Sequence, residues 1–216
     1  MISAITYAIP FLMQGLAVSL IVSVIVVIVS LVLGIFMGLG VVYGPIPVRF
    51  SIRIFSDFIR GIPILVLLFI VFYGLPIVGL NFSPFVAAVF ALTVFKTAQV
   101  IETIRGAIGS IPRGQNEAAK AIGLTFFQRF IYVTAPQAVR RFLPPWINGV
   151  TDAVKGSALV SLLGVNDLMN AIQQVIGRTY DPMPLYLLGA FIYFMINYSL
   201  SYLSRIFEQR FSYIRE

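Results

Sequence analysis

The chain has 216 residues, of which 59% are hydrophobic and 11% are charged, and its mean hydropathy is +0.97. Soluble domains carry about 25% charged residues, so this composition excludes a water-soluble fold and predicts an all-α membrane protein, because lipid cannot satisfy an exposed backbone. The net charge of +7 is dispersed through apolar sequence, which fits membrane topology and argues against nucleic-acid binding. The absence of Cys and His excludes thiol chemistry, histidine catalysis and most transition-metal sites.

Five apolar segments are long enough to cross a bilayer, at roughly 20 residues per helix. They cover residues 11–43, 62–80, 82–107, 142–163 and 183–207. The first has no basic residue before it, which predicts a retained span and not a cleaved signal peptide. Its Gly34-x-x-x-Gly38 pattern predicts close helix packing, and Pro144 and Pro145 predict a break at the start of the fourth span. Residues 165–180 are predicted to form an amphipathic helix on the outer side, either under a partner or over a pore.

The connections between spans sort by charge. One set, residues 44–61, 105–141 and the tail from Arg205, contains twelve basic residues, and the opposite set contains Arg178 alone. Basic residues accumulate in cytoplasmic loops. We therefore predict an outer N-terminus, a cytoplasmic C-terminus and one transmembrane domain over residues 1–216, without internal repeats.

The longest predicted cytoplasmic connection contains a water-compatible insert, EAAKAIGLTFFQRFIYVTAP, between two apolar runs. Pro112 suits a helix start and Gly123 suits its end, so a short helix is predicted over 113–122. Ala118 and Ala119 would leave a smooth face for a partner, and Glu117 could pair with a basic group on it. From the residues alone, an amphipathic helix on the membrane surface is an equal alternative.

The insert resembles the EAA loop of importer-type ABC transporter permeases. Matching positions are Glu117, Ala118, Ala119, Gly123 and Pro136, with Val133 and Ala135 as mild departures. The resemblance implies a type I importer fold in which a coupling helix, about 113–123, docks on a separate ATPase subunit. The implied contact residues are Arg113, Glu117, Ala118, Ala119, Lys120 and Gly123. No phosphate-binding G-x-x-x-x-G-K-[ST] loop occurs in the chain, so ATP and Mg²⁺ are expected on the partner, with no cofactor and no enzyme activity on this chain.

Further segments resemble polar amino-acid permeases. They begin at Gln14, Arg60, Phe95, Glu102 and Lys155, although Gly156 replaces an acidic residue of the family pattern. The resemblance implies import of polar or charged amino acids across a bacterial inner membrane. It also implies an extracytoplasmic solute-binding protein and a second permease chain, with an identical copy favoured over a paralogue.

Charged side chains within the predicted spans are candidate substrate ligands, because each costs about 2.5–3.5 kcal/mol at a helix centre. Asn148, Asp152 and Lys155 share one helical face. Asp152 has two interpretations: a structural pair with Lys155 or Lys96, or a carboxylate that receives a substrate cation from a polar cavity.

Glu102, in the third span, either pairs with Arg105 three residues on or joins Asp152 in holding a cation. Two carboxylates suit a guanidinium or ammonium group, which favours arginine, lysine or histidine as substrate. Lys155, Lys96, Thr97 and Asn148 are candidates for the substrate α-carboxylate. The alternative function is an ion-gradient-driven transporter or channel in which Asp152, Lys155 and Glu102 relay protons.

Overall fold

The computed structural model describes the backbone of residues 2–212 and the side chains of residues 9–206. In this part of the chain every regular element is helical. The α-helices are α1 (Ile2–Tyr43), α2 (Ile46–Gly61), α3 (Ile64–Phe69), α4 (Pro84–Gly109), α5 (Arg113–Ala121), α6 (Phe126–Arg129), α7 (Ala135–Gly156), α8 (Leu168–Thr179) and α9 (Pro182–Ser212). Irregular helical turns follow three of them, at Ile70–Gly74 and Leu75–Val78, at Phe130–Thr134, and at Ser157–Leu163.

Within residues 2–212, three helices are long and apolar enough to cross a membrane, and two bent pairs raise the number to five if each pair counts as one span. The five predicted spans are therefore reached only through the bent pairs, Ile46–Gly61 with Ile64–Val78 and Phe126–Leu163 with Leu168–Thr179. The orientation of the termini stays a prediction. Arg215, which contributed to it, lies outside the described residues, as does the side chain of Arg210.

The second predicted span is preceded by a helix, α2, in place of the predicted connection over residues 44–61. The axes of α2 and the following helical segment differ by 103°. The bend lies at Ile62, which is extended (φ −92°, ψ 131°) because a residue before proline, here Pro63, is sterically pushed out of the helical region. Gly61 and Pro63 carried this signal in the sequence.

The predicted break at Pro144 and Pro145 is wrong, because both lie inside the continuous helix α7. The fixed φ of proline is compatible with a helix, and the local cost is the loss of two amide donors. The irregular turn lies upstream instead, at Phe130–Thr134. In this protein the interruption precedes the prolines by ten residues or more.

Helix α4 is the centre of the bundle. More than half of its most apolar stretch is buried, compared with about a tenth of that of α9. It packs closely on α1, where a Cβ on Gly34 would overlap the side chain of Val100 and a Cβ on Gly38 would lie 2.9 Å from Ile104. The close packing predicted from the two glycines is confirmed.

Helix α8 (Leu168–Thr179) lies within residues 165–180 and is amphipathic, as predicted, while its location on the outer side stays a prediction. It begins after Asp167, whose carboxylate accepts hydrogen bonds from the backbone amides of Met169 and Asn170. Its apolar side packs between α1 and α9, around Leu12, Leu168, Ala171, Ile172 and Leu185. The opposite side of α8 exposes polar side chains, among them Gln173 and Gln174.

Candidate functional site

The polar residues of α7 form an exposed face in the single chain. Asn148, Asp152 and Lys155 all lie on it, as their four- and three-residue spacing predicts. The Lys155 Nζ lies 3.7 Å from the Asp152 Oδ1, and the two side chains are 60% and 68% exposed. The predicted structural pair of Asp152 with Lys155 is therefore present, but solvent or another chain must still solvate both groups.

A small cavity of about 100 Å³ lies between α4 and α7 beside this face. Lys96 and Asp152 both line it, with Gln99 and Gly156. Lys96 is only 7% exposed, and its Nζ donates a hydrogen bond of 2.8 Å to the Gln99 Oε1. The cavity thus combines one buried cation, one carboxylate and one amide within an apolar wall.

Gly149 of α7 makes room for the Lys96 ammonium group. A Cβ at this position would lie 3.1 Å from the Lys96 Nζ, tighter than an ordinary contact. Sequence analysis identified neither Gly149 nor Gln99. Gln99 could have been found, because it is a polar residue three positions from Lys96 in an apolar helix, where side chains three apart are neighbours.

Glu102 belongs to a different environment. Its Oε2 accepts hydrogen bonds from Arg105 Nη2 at 2.7 Å and Nε at 2.9 Å, and the Arg60 Nη2 lies 3.9 Å away. Glu102 lines a second pocket, of about 280 Å³, with Ser110 and Arg141. Of the two alternatives predicted for Glu102, the pair with Arg105 is the one found. Glu102 and Asp152 line different cavities.

Thr97 also lies away from the cavity of Lys96. It is 2% exposed, and its hydroxyl has no hydrogen-bond partner among the described residues. One position along a helix turns a side chain by about 100°, which separates Thr97 from Lys96. Of the six predicted substrate ligands, Lys96 and Asp152 share a cavity, Asn148 and Lys155 flank it, and Thr97 and Glu102 face elsewhere.

Helix α5 leads into the water-compatible insert. It is one residue shorter than the helix predicted over 113–122. The helix ends before Gly123, whose φ of +83° lies in the left-handed region that glycine adopts without strain. Arg113, Glu117, Ala118, Lys120 and Gly123 are exposed. Ala119 is 5% exposed, and its carbonyl accepts a hydrogen bond from the amide of Leu124. Of the two alanines predicted to form a smooth face, only Ala118 is therefore exposed.

Comparisons with known proteins agree with this architecture. The family model for binding-protein-dependent transport system inner membrane components matches residues 30–213. A probable glutamine ABC transporter permease of Bacillus subtilis is 35% identical over 172 residues, covering 78% of this chain and 79% of the relative. An arginine transport system permease of the same species is 32% identical over 209 residues, covering 96% and 95%. A solved structure described as an amino acid ABC transporter with histidines has a TM-score of 0.91 at 33% identity, covering 97% of each chain.

Proposed function

The chain belongs to the family of binding-protein-dependent transport system inner membrane components, and from this premise we propose that it forms the translocation pathway of an ATP-driven importer of basic amino acids. Membership confirms the resemblance to ABC transporter permeases that the EAA-like insert indicated. It also makes the chain a transport subunit of the inner membrane whose ATPase is a separate partner. Membership favours this mechanism over the ion-gradient alternative.

The observation that carries the proposed substrate is the shared cavity of Asp152 and Lys96. A basic amino acid presents a side-chain cation and an α-carboxylate. Asp152 would receive the cation, and Lys96, held by Gln99, would receive the carboxylate. Relatives named for arginine and for glutamine transport are about equally similar. The charge at Asp152 is what favours the cationic substrate.

A second permease chain would complete the site. The cavity between α4 and α7 is small, at about 100 Å³, and Asn148, Asp152 and Lys155 are exposed on one side of α7. Charged groups within a bilayer ordinarily face a bundle interior or a water-filled cavity. A two-fold partner, either an identical copy or a paralogue, would enclose this polar face and line the pathway with a second set of ligands.

The ATPase and the solute-binding protein would dock at opposite sides of the molecule. Helix α5 projects the charged residues Arg113, Glu117 and Lys120 from the bundle, and we propose that it docks on the ATPase. Among the described residues, Glu117 has no ion pair, so its carboxylate is available to a basic group. A solute-binding protein would deliver the amino acid at the opposite side, near α8.

Reconstitution in proteoliposomes tests the proposal. The permease, its partner ATPase and the binding protein are expected to take up labelled arginine only with ATP on the ATPase side. In competition with a panel of twenty amino acids, the basic ones should compete best. Uptake driven by an ion gradient without the ATPase would refute the importer mechanism, and competition by glutamine alone would refute the substrate class.

A further inference from the structure

Helix α1 is attached to α8 near its beginning. The Ser19 Oγ accepts a hydrogen bond of 3.1 Å from the amide of Leu168, and it donates one of 3.4 Å to the Asp167 Oδ2. Ser19 and Asp167 are 1% and 0% exposed. Gly15 permits the approach, because a Cβ there would lie 2.7 Å from the Asp167 carbonyl oxygen and 2.9 Å from the Ala171 Cβ. The first turn of α8 is thus held directly against α1.

The last residue of α1 is attached to the insert that contains α5. The Tyr43 ring meets Phe126 edge-on at 5.4 Å and Phe130 edge-on at 5.7 Å between ring centroids. Phe126 lies in α6, and Phe130 lies in the turn after it. Arg129 Nη1 donates a hydrogen bond of 3.0 Å to the Asn116 Oδ1, which ties α6 to α5. Tyr43 therefore contacts the unit that presents α5.

Between these two attachments α1 is one uninterrupted helix. From Ser19 to Tyr43 it spans roughly 36 Å at about 1.5 Å per residue. Its one internal proline, Pro10, lies before both attachment points, so the connecting stretch has neither a proline nor a π-bulge, two common causes of sharp kinks. A continuous helix of this length joins the two attachment points.

We propose that α1 is a coupling rod that transmits movement of the ATPase-docking insert to α8, with Tyr43 and Ser19 as its positioning residues. The inference rests on the proposed function, in which α5 docks on the ATPase and α8 lies on the outer side. Rigid elements with discrete contacts at both ends can bias two distant sites together. The rod also gives a role to Gly15 and Ser19 in the segment that begins at Gln14.

Site-specific labelling measures the movement. The chain contains no cysteine, so Arg178→Cys places a single thiol on the exposed side of α8. In the reconstituted complex, its rate of reaction with a membrane-impermeant maleimide should change several-fold between the nucleotide-free and ATP-bound states. Tyr43→Leu should abolish this response while ATP binding and assembly with the ATPase persist. Tyr132→Leu, at a 71% exposed tyrosine of the same insert, is the control and should keep the response.

The attachment at Ser19 is tested in the same Arg178→Cys variant. Ser19→Ala should also abolish the response, whereas Ser23→Ala should keep it, because the Ser23 hydroxyl bonds only to the Ser19 carbonyl of its own helix. Two attachments in series predict that the double variant Ser19→Ala/Tyr43→Leu loses no more uptake per ATP hydrolysed than either single variant. Independent structural roles predict multiplied losses.

The outcomes separate the rod from the proposed function. A nucleotide response that persists in Tyr43→Leu overturns the rod, whatever Ser19→Ala does. Multiplied losses in the double variant also overturn it. If instead Arg178→Cys cannot be labelled from outside, or wild-type permease does not assemble with the ATPase, the proposed function itself fails.

Discussion

Replacing Asp152 by Asn should reduce the preference for arginine over glutamine while leaving transport of glutamine largely intact. The substitution keeps the size and hydrogen-bonding capacity of the side chain and removes its charge. It also frees the Lys155 ammonium, 3.7 Å away, which then repels a cationic substrate. Both effects act in the same direction.

The expected magnitude follows from the exposure of the site. A hydrogen bond to a charged group contributes about 1.5–3 kcal/mol, and about 1.4 kcal/mol corresponds to a factor of ten in affinity. Because the Asp152 side chain is 68% exposed in the single chain, we take the lower end of that range. The ratio of arginine to glutamine affinity should therefore fall by roughly tenfold.

Competition between labelled arginine and unlabelled glutamine in proteoliposomes gives this ratio directly. The matched control is Asp57→Asn, since Asp57 is a 70% exposed aspartate that pairs with Arg60 three residues on. It should leave the ratio unchanged. If Asp152→Asn preserves the preference and Glu102→Gln removes it, the cation is recognised in the other pocket and the reasoning from the shared cavity is refuted.

Three further predictions concern packing, backbone and docking. Gly34→Val should lower the free energy of unfolding of the detergent-solubilised protein by about 1–3 kcal/mol, seen as a lower melting temperature, because it overpacks the contact between α1 and α4. Gly109→Ala, with open space around its Cβ position, should leave the melting temperature unchanged. Gly123→Ala, at φ +83°, should cost about 1–2 kcal/mol in the same melt because an L-residue is strained there; an unchanged melting temperature would contradict the assigned turn. Glu117→Lys should reduce co-purification of the ATPase without changing the melting temperature, and undiminished co-purification would remove Glu117 from the docking surface.

Local rules predicted the short-range features of this molecule. Two ion pairs, Asp152 with Lys155 and Glu102 with Arg105, follow from i,i+3 spacing, and both are found. The extent of α5 followed from Pro112 and Gly123 to within one residue. Each of these depends on residues within one or two helical turns, where chain geometry alone decides the contact.

Features that depend on neighbouring helices could not be read in the same way. The close approach of α7 to the Lys96 ammonium group depends on Gly149, which leaves room for it. The approach of α7 to α4 has no signature in the local sequence. The predicted exposure of Ala119, by contrast, is wrong for a local reason: the segment after Gly123 folds back, so that the amide of Leu124 donates a hydrogen bond to the Ala119 carbonyl, a helix cap for which Gly123 is the sequence signal.

The difference between Lys96 and Glu102 shows how one helix can carry two intramembrane charges for different purposes. Six residues along α4 turn the side chain by about 600°, or 240° after one full turn, so the two groups face different neighbours. Glu102 pairs with Arg105 of its own helix, and the Arg60 guanidinium of α2 lies 3.9 Å from its carboxylate. Lys96 faces α7. The amide of Gln99 on its own helix holds it, and the carboxylate of Asp152 on α7 shares its cavity without a direct ion pair among the described contacts. A buried cation that is held but not neutralised is suited to receive a carboxylate from a ligand, and for this reason we propose that substrate recognition lies between α4 and α7 and that Glu102 has a structural role.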